Sequence, residues 1–363
     1  MEFSIYMNPQ TRGPEEDVRV LEENIRQVVR VTEAGFAGVV LTEHHFSEYN
    51  TYGDNIFMAT HLVGICPPGT KFLLSAVIPP LHNPMRLAQQ LNLLDIVSKG
   101  NAIVGLGSGG SPVEFLGLGR EPKNRYEDHD QIFDAMKQAM LKDKSDPPLE
   151  WKTRYGSGTV YTRMMPTAYG RAMPLFAKAA LTDEVAERAG EDGLFLFTGR
   201  ITLEQSAQRM VVYEAGLRRS GLGSEEIEER LDWSFIQKQV IVADSDEEAR
   251  AEAFRRMEAL NAFAAATRAH VPDVAQAEQL QPVSSAVSTR SPERFFEMAY
   301  IAGSPETVRA ELQRYADIGI RHMALYFNFA HMSTEVADRS IELFLEDVLP
   351  HLREPSDAQA AVR

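Results

Sequence analysis

The chain has 363 residues, 44% hydrophobic and 25% charged, which is the profile of a folded protein with a large core and excludes a disordered or fibrous one. Its formal charge of −15 excludes a broad cationic face for nucleic acid or anionic lipid and leaves room only for a local basic pocket around one phosphate. The single cysteine, Cys66, excludes an internal disulfide and a cysteine-based zinc site, and it fits a reducing cytoplasm.

The N-terminus, Met1 to Met7, lacks a basic region and has too short an apolar run for a signal peptide, and no stretch of eighteen apolar residues predicts a membrane span. From there, short apolar runs alternate with segments of helical period. The strands expected in chain order are Phe3–Met7, Gly38–Thr42, Lys71–Val77, Ala102–Leu106, Leu175–Ala180, Leu194–Phe197, Trp233–Val242 and His322–Phe327. Pro14-Glu15-Glu16-Asp17 opens the first helix, with acids at the positive end of its dipole, and Ala34-Gly35 closes it. Thr182-Asp183-Glu184, Asp244-Ser245-Asp246-Glu247 and Ser304-Pro305-Glu306-Thr307 open later helices in the same way. Eight strands, each followed by a helix, predict an α/β protein of the (β/α)8 TIM barrel type, with insertion loops at its C-terminal face; a doubly wound open sheet is the alternative. Residues 1–350 are expected to form a single domain and residues 351–363 a flexible tail. Two stretches break the alternation: an insertion at Asp143–Met173, and Thr267–Arg290, a candidate lid over the C-terminal face.

Chemistry-bearing residues fall at the ends of these strands, where a barrel places its active site. Leu41-Thr42-Glu43-His44-His45-Phe46 ends the second strand, and histidine exchanges protons readily at neutral pH. Structural hydrogen bonding beneath the loops is the plainer reading of the pair. A metal site drawn from Glu43, His44, His45, His61 and His82 is disfavoured, because neighbours on an extended strand end point in opposite directions. Ser75-Ala76-Val77-Ile78-Pro79-Pro80 ends the third strand with small residues that leave room for a planar ligand. Gly105-Leu106-Gly107-Ser108-Gly109-Gly110 follows the fourth and brings backbone amides close to a phosphate or a flat ring, or forms an ordinary turn. After the fifth strand, Lys178, Ala179 and Thr182 lead into a helix N-terminus suited to a phosphate, with Thr182 also an ordinary N-cap.

In order and spacing, Phe36–Phe46 (FAGVVLTEHHF), Val77–Arg86 (VIPPLHNPMR), Leu94–Gly119 (LDIVSKGNAIVGLGSGGSPVEFLGLG) and Gly303–Phe327 (GSPETVRAELQRYADIGIRHMALYF) resemble the bacterial luciferase-like family of flavin-dependent monooxygenases. The resemblance covers residues 1 to about 350. It implies a barrel that holds reduced flavin mononucleotide (FMN) at its C-terminal mouth, supplied by a separate flavin reductase. Such a protein forms a flavin hydroperoxide with O2 and passes one oxygen atom to a small organic substrate.

His44 matches the family's acid–base histidine and His45 its neighbour, with Glu43 or a backbone carbonyl orienting His44. Ser75 and Ala76 fall where the family has a non-proline cis peptide against the flavin ring. Gly107 replaces a reactive cysteine, so no thiol chemistry is expected. Around the phosphate, Ser108 replaces an arginine, Lys178 and Ala179 replace a glutamate and a serine, Thr182 keeps its hydroxyl, and Arg125 approaches from the following helix. A homodimer is expected by the same resemblance. The rivals are a deazaflavin-dependent hydride-transfer enzyme and a non-catalytic flavin-binding subunit. Tyr49, Tyr52, Met164, Met165, Tyr169 and Phe263 are candidate pocket residues that leave the substrate open among a long-chain aldehyde, a polyketide and a terpenoid.

Overall fold

The computed structural model describes residues 1–269 and 291–352. Its strands are β1 (Glu2–Met7), β2 (Gly38–Leu41), β3 (Lys71–Val77), β4 (Ala102–Leu106), β5 (Leu149–Thr153), β6 (Gly156–Val160), β7 (Leu175–Ala179), β8 (Phe195–Gly199), β9 (Phe235–Val242), β10 (Tyr300–Gly303) and β11 (His322–Tyr326). Eight of them, β1, β2, β3, β4, β7, β8, β9 and β11, pair in parallel in that order. The pairings β8–β9, β9–β11 and β11–β1 close the ring. A closed (β/α)8 barrel is therefore observed, and the open doubly wound sheet is excluded by the β8–β9 pairing.

Alternation along each strand divides the core in two. Val40, Leu73, Ile103, Ala177, Phe197, Phe235 and Ala324, from seven different strands, pack together as the core inside the barrel. The intervening residues, such as Val39, Phe72, Val104 and Met323, pack against the surrounding helices. At the floor, Ser4 Oγ and His322 Nε2 lie 2.8 Å apart. Burial drives the His322 imidazolium down to a pKa of about 3, so it is neutral there.

The helices between the strands are α1 (Asp17–Glu33), α2 (Asn55–Val63), α3 (Pro84–Val97), α4 (Pro112–Gly117), α5 (Arg125–Leu141), α6 (Asp183–Glu191), α7 (Leu203–Leu217), α8 (Ser224–Trp233), α9 (Asp246–Ala269), α10 (Pro292–Ala299), α11 (Pro305–Asp317) and α12 (Thr334–Leu343). Their starts follow the sequence closely: Thr182 and Ser304 accept hydrogen bonds from Val185 N and Thr307 N as N-caps. Among the described residues, no helix is long and apolar enough to cross a membrane.

Three features differ from the expectations. Tyr300–Gly303 forms an additional short strand beside the C-terminal half of β9. The insertion at 143–173 contains the antiparallel pair β5–β6 and serves both ends of the barrel. Its turn reaches the mouth side, where Arg154 pairs with Asp128 and Glu127 at the start of α5, and the Glu121 N–H donates to the Tyr155 hydroxyl. Its second half closes the opposite face, where Tyr169 N donates to Asp95 and Arg171 donates to Gly100 O just before β4. The insertion is thus only partly at the C-terminal face. In the candidate lid, residues 267–269 complete α9, and residues 270–290 lie outside the described residues, as does the tail from 353.

Candidate active site

The C-terminal ends of β2, β3 and β4 bring the histidine pair, the small-residue turn and the glycine loop to one rim of the barrel. His44 and His45 diverge there, as the strand geometry demands. His44 Nδ1 lies 2.9 Å from Glu114 Oε1, whereas His45 Nε2 lies 2.9 Å from Glu43 Oε1. The group that orients His44 is therefore Glu114, in the first turn of α4, and neither Glu43 nor a backbone carbonyl. Glu114 is buried and also accepts from the His45 backbone N–H at 3.3 Å, so one carboxylate ties both residues to the glycine loop that carries it.

Glu43 has a different task from the catalytic one expected of it. Its side chain is 1% exposed, its Oε1 is shared by His45 and by His82 Nε2 at 2.7 Å, and its Oε2 accepts the Ile78 N–H at 2.8 Å. Both oxygens are committed within the protein, so Glu43 is a buried anchor between β2 and the turn after β3. Burial by itself would raise its carboxyl, but the charges and hydrogen bonds of His82 and His45 outweigh burial and hold it at about 2. Burial likewise opposes the charged form of His82, and Glu43 overcomes it, so His82 is shifted upward.

The signs of these shifts set a stability profile. Glu43's contribution is complete above about pH 4.5 and is lost as the pH falls towards 2. That of His82 is complete below about pH 6.5 and fades as the pH rises through its elevated folded-state value. Glu43→Gln is expected to destabilise the protein by about 3 kcal/mol near pH 6, the scale for breaking a buried ion pair. It should also flatten both flanks of the profile. Thermal melts between pH 3 and 9 check this, and a variant that kept both flanks would show that the pair does not set them.

Beside this anchor, the Ser75–Ala76 peptide is cis, as the resemblance implies, and Asn55 Nδ2 donates to Ala76 O at 3.3 Å. Gly107 lies against it: a β-carbon at that position would sit 3.3 Å from both Ala76 Cβ and Ile78 Cδ1, so any larger residue would fill the floor of the rim. Gly109, with φ +74°, turns the loop under Ile78 and Phe115 in a conformation that favours glycine. Ser108 between them is half-buried.

Around the rim, the register that pairs Leu106 with Lys178 brings β7 alongside the glycine loop. Lys178 is half-buried and has no carboxylate partner among the described residues. Burial, aided by the Lys178 charge, keeps His129 of α5 below its usual value against the pull of Asp130, whose carboxylate accepts from Nδ1 at 2.9 Å. Ala179 and Thr182 are exposed at the start of α6, and the Thr182 hydroxyl caps that helix, accepting from Val185 N at 3.4 Å. Arg125 opens α5 with its guanidinium over the Tyr126 ring, 4.3 Å from the centroid. An unpaired lysine and a helix N-terminus form a donor set suited to one phosphate, and the small-residue floor beside it suits a flat ring.

On the far side of His44, the Tyr49 ring meets its imidazole edge-on at 4.8 Å and stacks on Phe263 of α9 at 5.7 Å. Of the other pocket candidates, Tyr52 is a strut, donating to Met7 O, while Met164 lies in the core and Tyr169 on the opposite face of the barrel, its N–H donating to Asp95. Glu114 and His82 went unrecognised in the sequence as partners of the pair. Glu114, three residues after Ser111, looks like a helix-start acid, and His82 stands thirty-nine residues from the carboxylate it holds.

The family profile described as "Luciferase-like monooxygenase" matches residues 1–322. The chain belongs to this family. Among its curated relatives, the alkanal monooxygenase alpha chain of Photobacterium leiognathi is 24% identical over 352 residues, 93% of this chain and 94% of that one. Limonene 1,2-monooxygenase of Rhodococcus erythropolis is 22% identical over 357 residues, 97% and 86% of the two chains. With the uncharacterised protein y4vJ of Sinorhizobium fredii the match is 32% over 117 residues and spans only a third of that protein. Two solved structures share the fold. The oxygenating constituent of 3,6-diketocamphane monooxygenase from Pseudomonas putida, in complex with FMN, has a TM-score of 0.74 at 16% identity, covering 98% and 99% of the two chains. An F420-dependent secondary alcohol dehydrogenase has a TM-score of 0.68 at 17% identity, covering 97% and 99%.

Proposed function

We propose that this family member is a monooxygenase that takes reduced FMN from a separate flavin reductase and inserts one oxygen atom of O2 into a small organic substrate. The observation that carries the proposal is the convergence at one rim of His44 on its Glu114 support, the small-residue floor at Ala76 and Gly107, and the unpaired Lys178. When bound and reduced, the flavin supplies the activation of dioxygen and the transfer of its oxygen.

The chain's own residues do the rest. Lys178 and the amides at the start of α6 hold the phosphate, with Ser108 and Thr182 as hydroxyl contacts and Arg125 and Ala179 at the margin. Ser75, Ala76 and Gly107 give the ring a backbone surface to lie on. His44 takes and returns a proton: its Nδ1 is fixed by Glu114, which leaves Nε2 as the exchanging atom. His45 locks the loop through Glu43 rather than reacting. Tyr49 and Phe263 exclude water on the substrate side.

The net negative charge and single half-buried cysteine accord with a cytoplasmic protein. Phe57, 76% exposed on α2, and Leu93, 50% exposed on α3, offer an apolar face for a homodimer. The competing reading within the same fold is deazaflavin-dependent hydride transfer, which needs no oxygen. Titrating the protein with FMN and with F420, and following oxygen uptake in the reduced state, separates them. FMN binding with substrate-dependent uptake is the expected result, and tight F420 binding without uptake would replace the proposal.

A further inference from the structure

Inside the barrel, the apolar core stops one layer below the mouth. On the side of β9, β11 and β1, the next residues in the inward-facing alternation are polar: Gln237 and Gln239 follow Phe235, Tyr326 follows Ala324, and Tyr6 packs on the same inner core. Gln239 is in register with Tyr326 on one side and with Tyr300 of β10 on the other, which sets these three side chains on one face.

Two atoms of this layer are unsatisfied. The Tyr300 hydroxyl and Gln239 Oε1 are buried without a hydrogen-bond partner, on residues only 4% and 5% exposed. Their neighbours are not: Tyr326 donates to Asn8 O at 2.6 Å and Tyr52 to Met7 O at 2.9 Å. A donor and an acceptor left unmade on register-paired residues demand an explanation. Burial pushes the Tyr6 and Tyr300 phenols well up, so both are neutral donors.

Aromatic rings pack around these two groups, with Tyr6 and Tyr326 ring centroids 5.0 Å apart, Tyr326 and Phe329 5.3 Å, and Tyr300 and Phe329 5.7 Å. The layer reaches the His44 side of the mouth through Tyr49, which is in edge contact with His44 and packs on the cluster that holds Tyr300 and Tyr326.

We propose that this layer is the substrate's own subsite and that it selects an aromatic compound bearing a phenolic hydroxyl. A phenol supplies both missing partners: its hydrogen goes to Gln239 Oε1 and its oxygen accepts from Tyr300. An aliphatic aldehyde has no hydrogen to donate and leaves Gln239 unmatched; a site built around a hydroxyl discriminates strongly against analogues that lack one. The inference deepens the oxygenase reading and rests on it for the flavin's place on the opposite side of the mouth.

The test is calorimetric binding of 1-naphthol, 1-methylnaphthalene and decanal to the full chain with oxidised FMN and no reductant, so that no turnover occurs. The 1-naphthol should bind at least tenfold tighter than the other two. Tyr300→Phe and Gln239→Leu should each weaken it at least fivefold and leave 1-methylnaphthalene unchanged. If either variant fails to melt like the parent, the other decides. Equal affinities for the three probes, or 1-naphthol binding unaffected in a folded variant, would overturn the proposal. Because no oxygenation is read, selective naphthol binding in a protein that proves inactive with reduced FMN would sink the oxygenase reading while leaving the subsite in place.

Discussion

His44→Ala is expected to bind FMN as the parent does and to lose product formation by a factor of about 10² to 10⁴, the usual worth of a positioned acid–base group. The separation of the two effects follows from the geometry. His44 hangs on Glu114 at the β2 side of the rim, whereas the phosphate donors sit at β7, α5 and α6. Glu114→Gln should reproduce part of the loss, because a neutral amide still reaches Nδ1 but no longer balances a proton on the ring. Stopped-flow mixing of the reduced protein with oxygen and substrate, together with a flavin titration, measures both quantities. Full turnover without the imidazole would remove His44 from proton transfer, and lost flavin binding would make it part of the cofactor's cradle.

Lys178→Ala should weaken FMN about tenfold or more and riboflavin hardly at all, so that the variant no longer distinguishes the two. The comparison isolates the phosphate, since both ligands share the ring. The expectation rests on Lys178 having no carboxylate partner among the described residues and standing beside the glycine loop, in register with Leu106. A lysine that served only to balance a neighbouring acid would have that acid beside it. Equal loss of both ligands would mean that Lys178 shapes the loop instead of meeting the phosphate.

The eight barrel strands were legible because each is buried on both faces and reads as a short apolar run, as in Lys71–Val77 and Ala102–Leu106. β10 was not, because Tyr300-Ile301-Ala302-Gly303 continues the apolar run of α10 with no turn residue between them. The β5–β6 pair escaped for the opposite reason. Gly156–Val160 is exposed along most of its length and carries no alternation to betray a strand.

The site divides in the same way. Residues at strand ends, His44, Ser75, Gly107 and Lys178, could be placed because position along a strand fixes position at the rim. The partners that hold them could not: Glu114 lies seventy residues from His44 and His82 thirty-nine from Glu43, and only the closed barrel brings them together. Tyr300 lay on the unforeseen strand, and Gln239 in a polar run, Gln237-Lys238-Gln239, that does not show which residue faces the barrel.

The account is tested most directly by supplying the protein with reduced FMN, candidate phenolic substrates and ¹⁸O2, and weighing the product. A substrate-derived product heavier by one ¹⁸O atom, formed only when reduced FMN is present, is what the rim of His44, Gly107 and Lys178 predicts. A product that forms without oxygen, at the expense of a reduced deazaflavin and with no label gained, would contradict it.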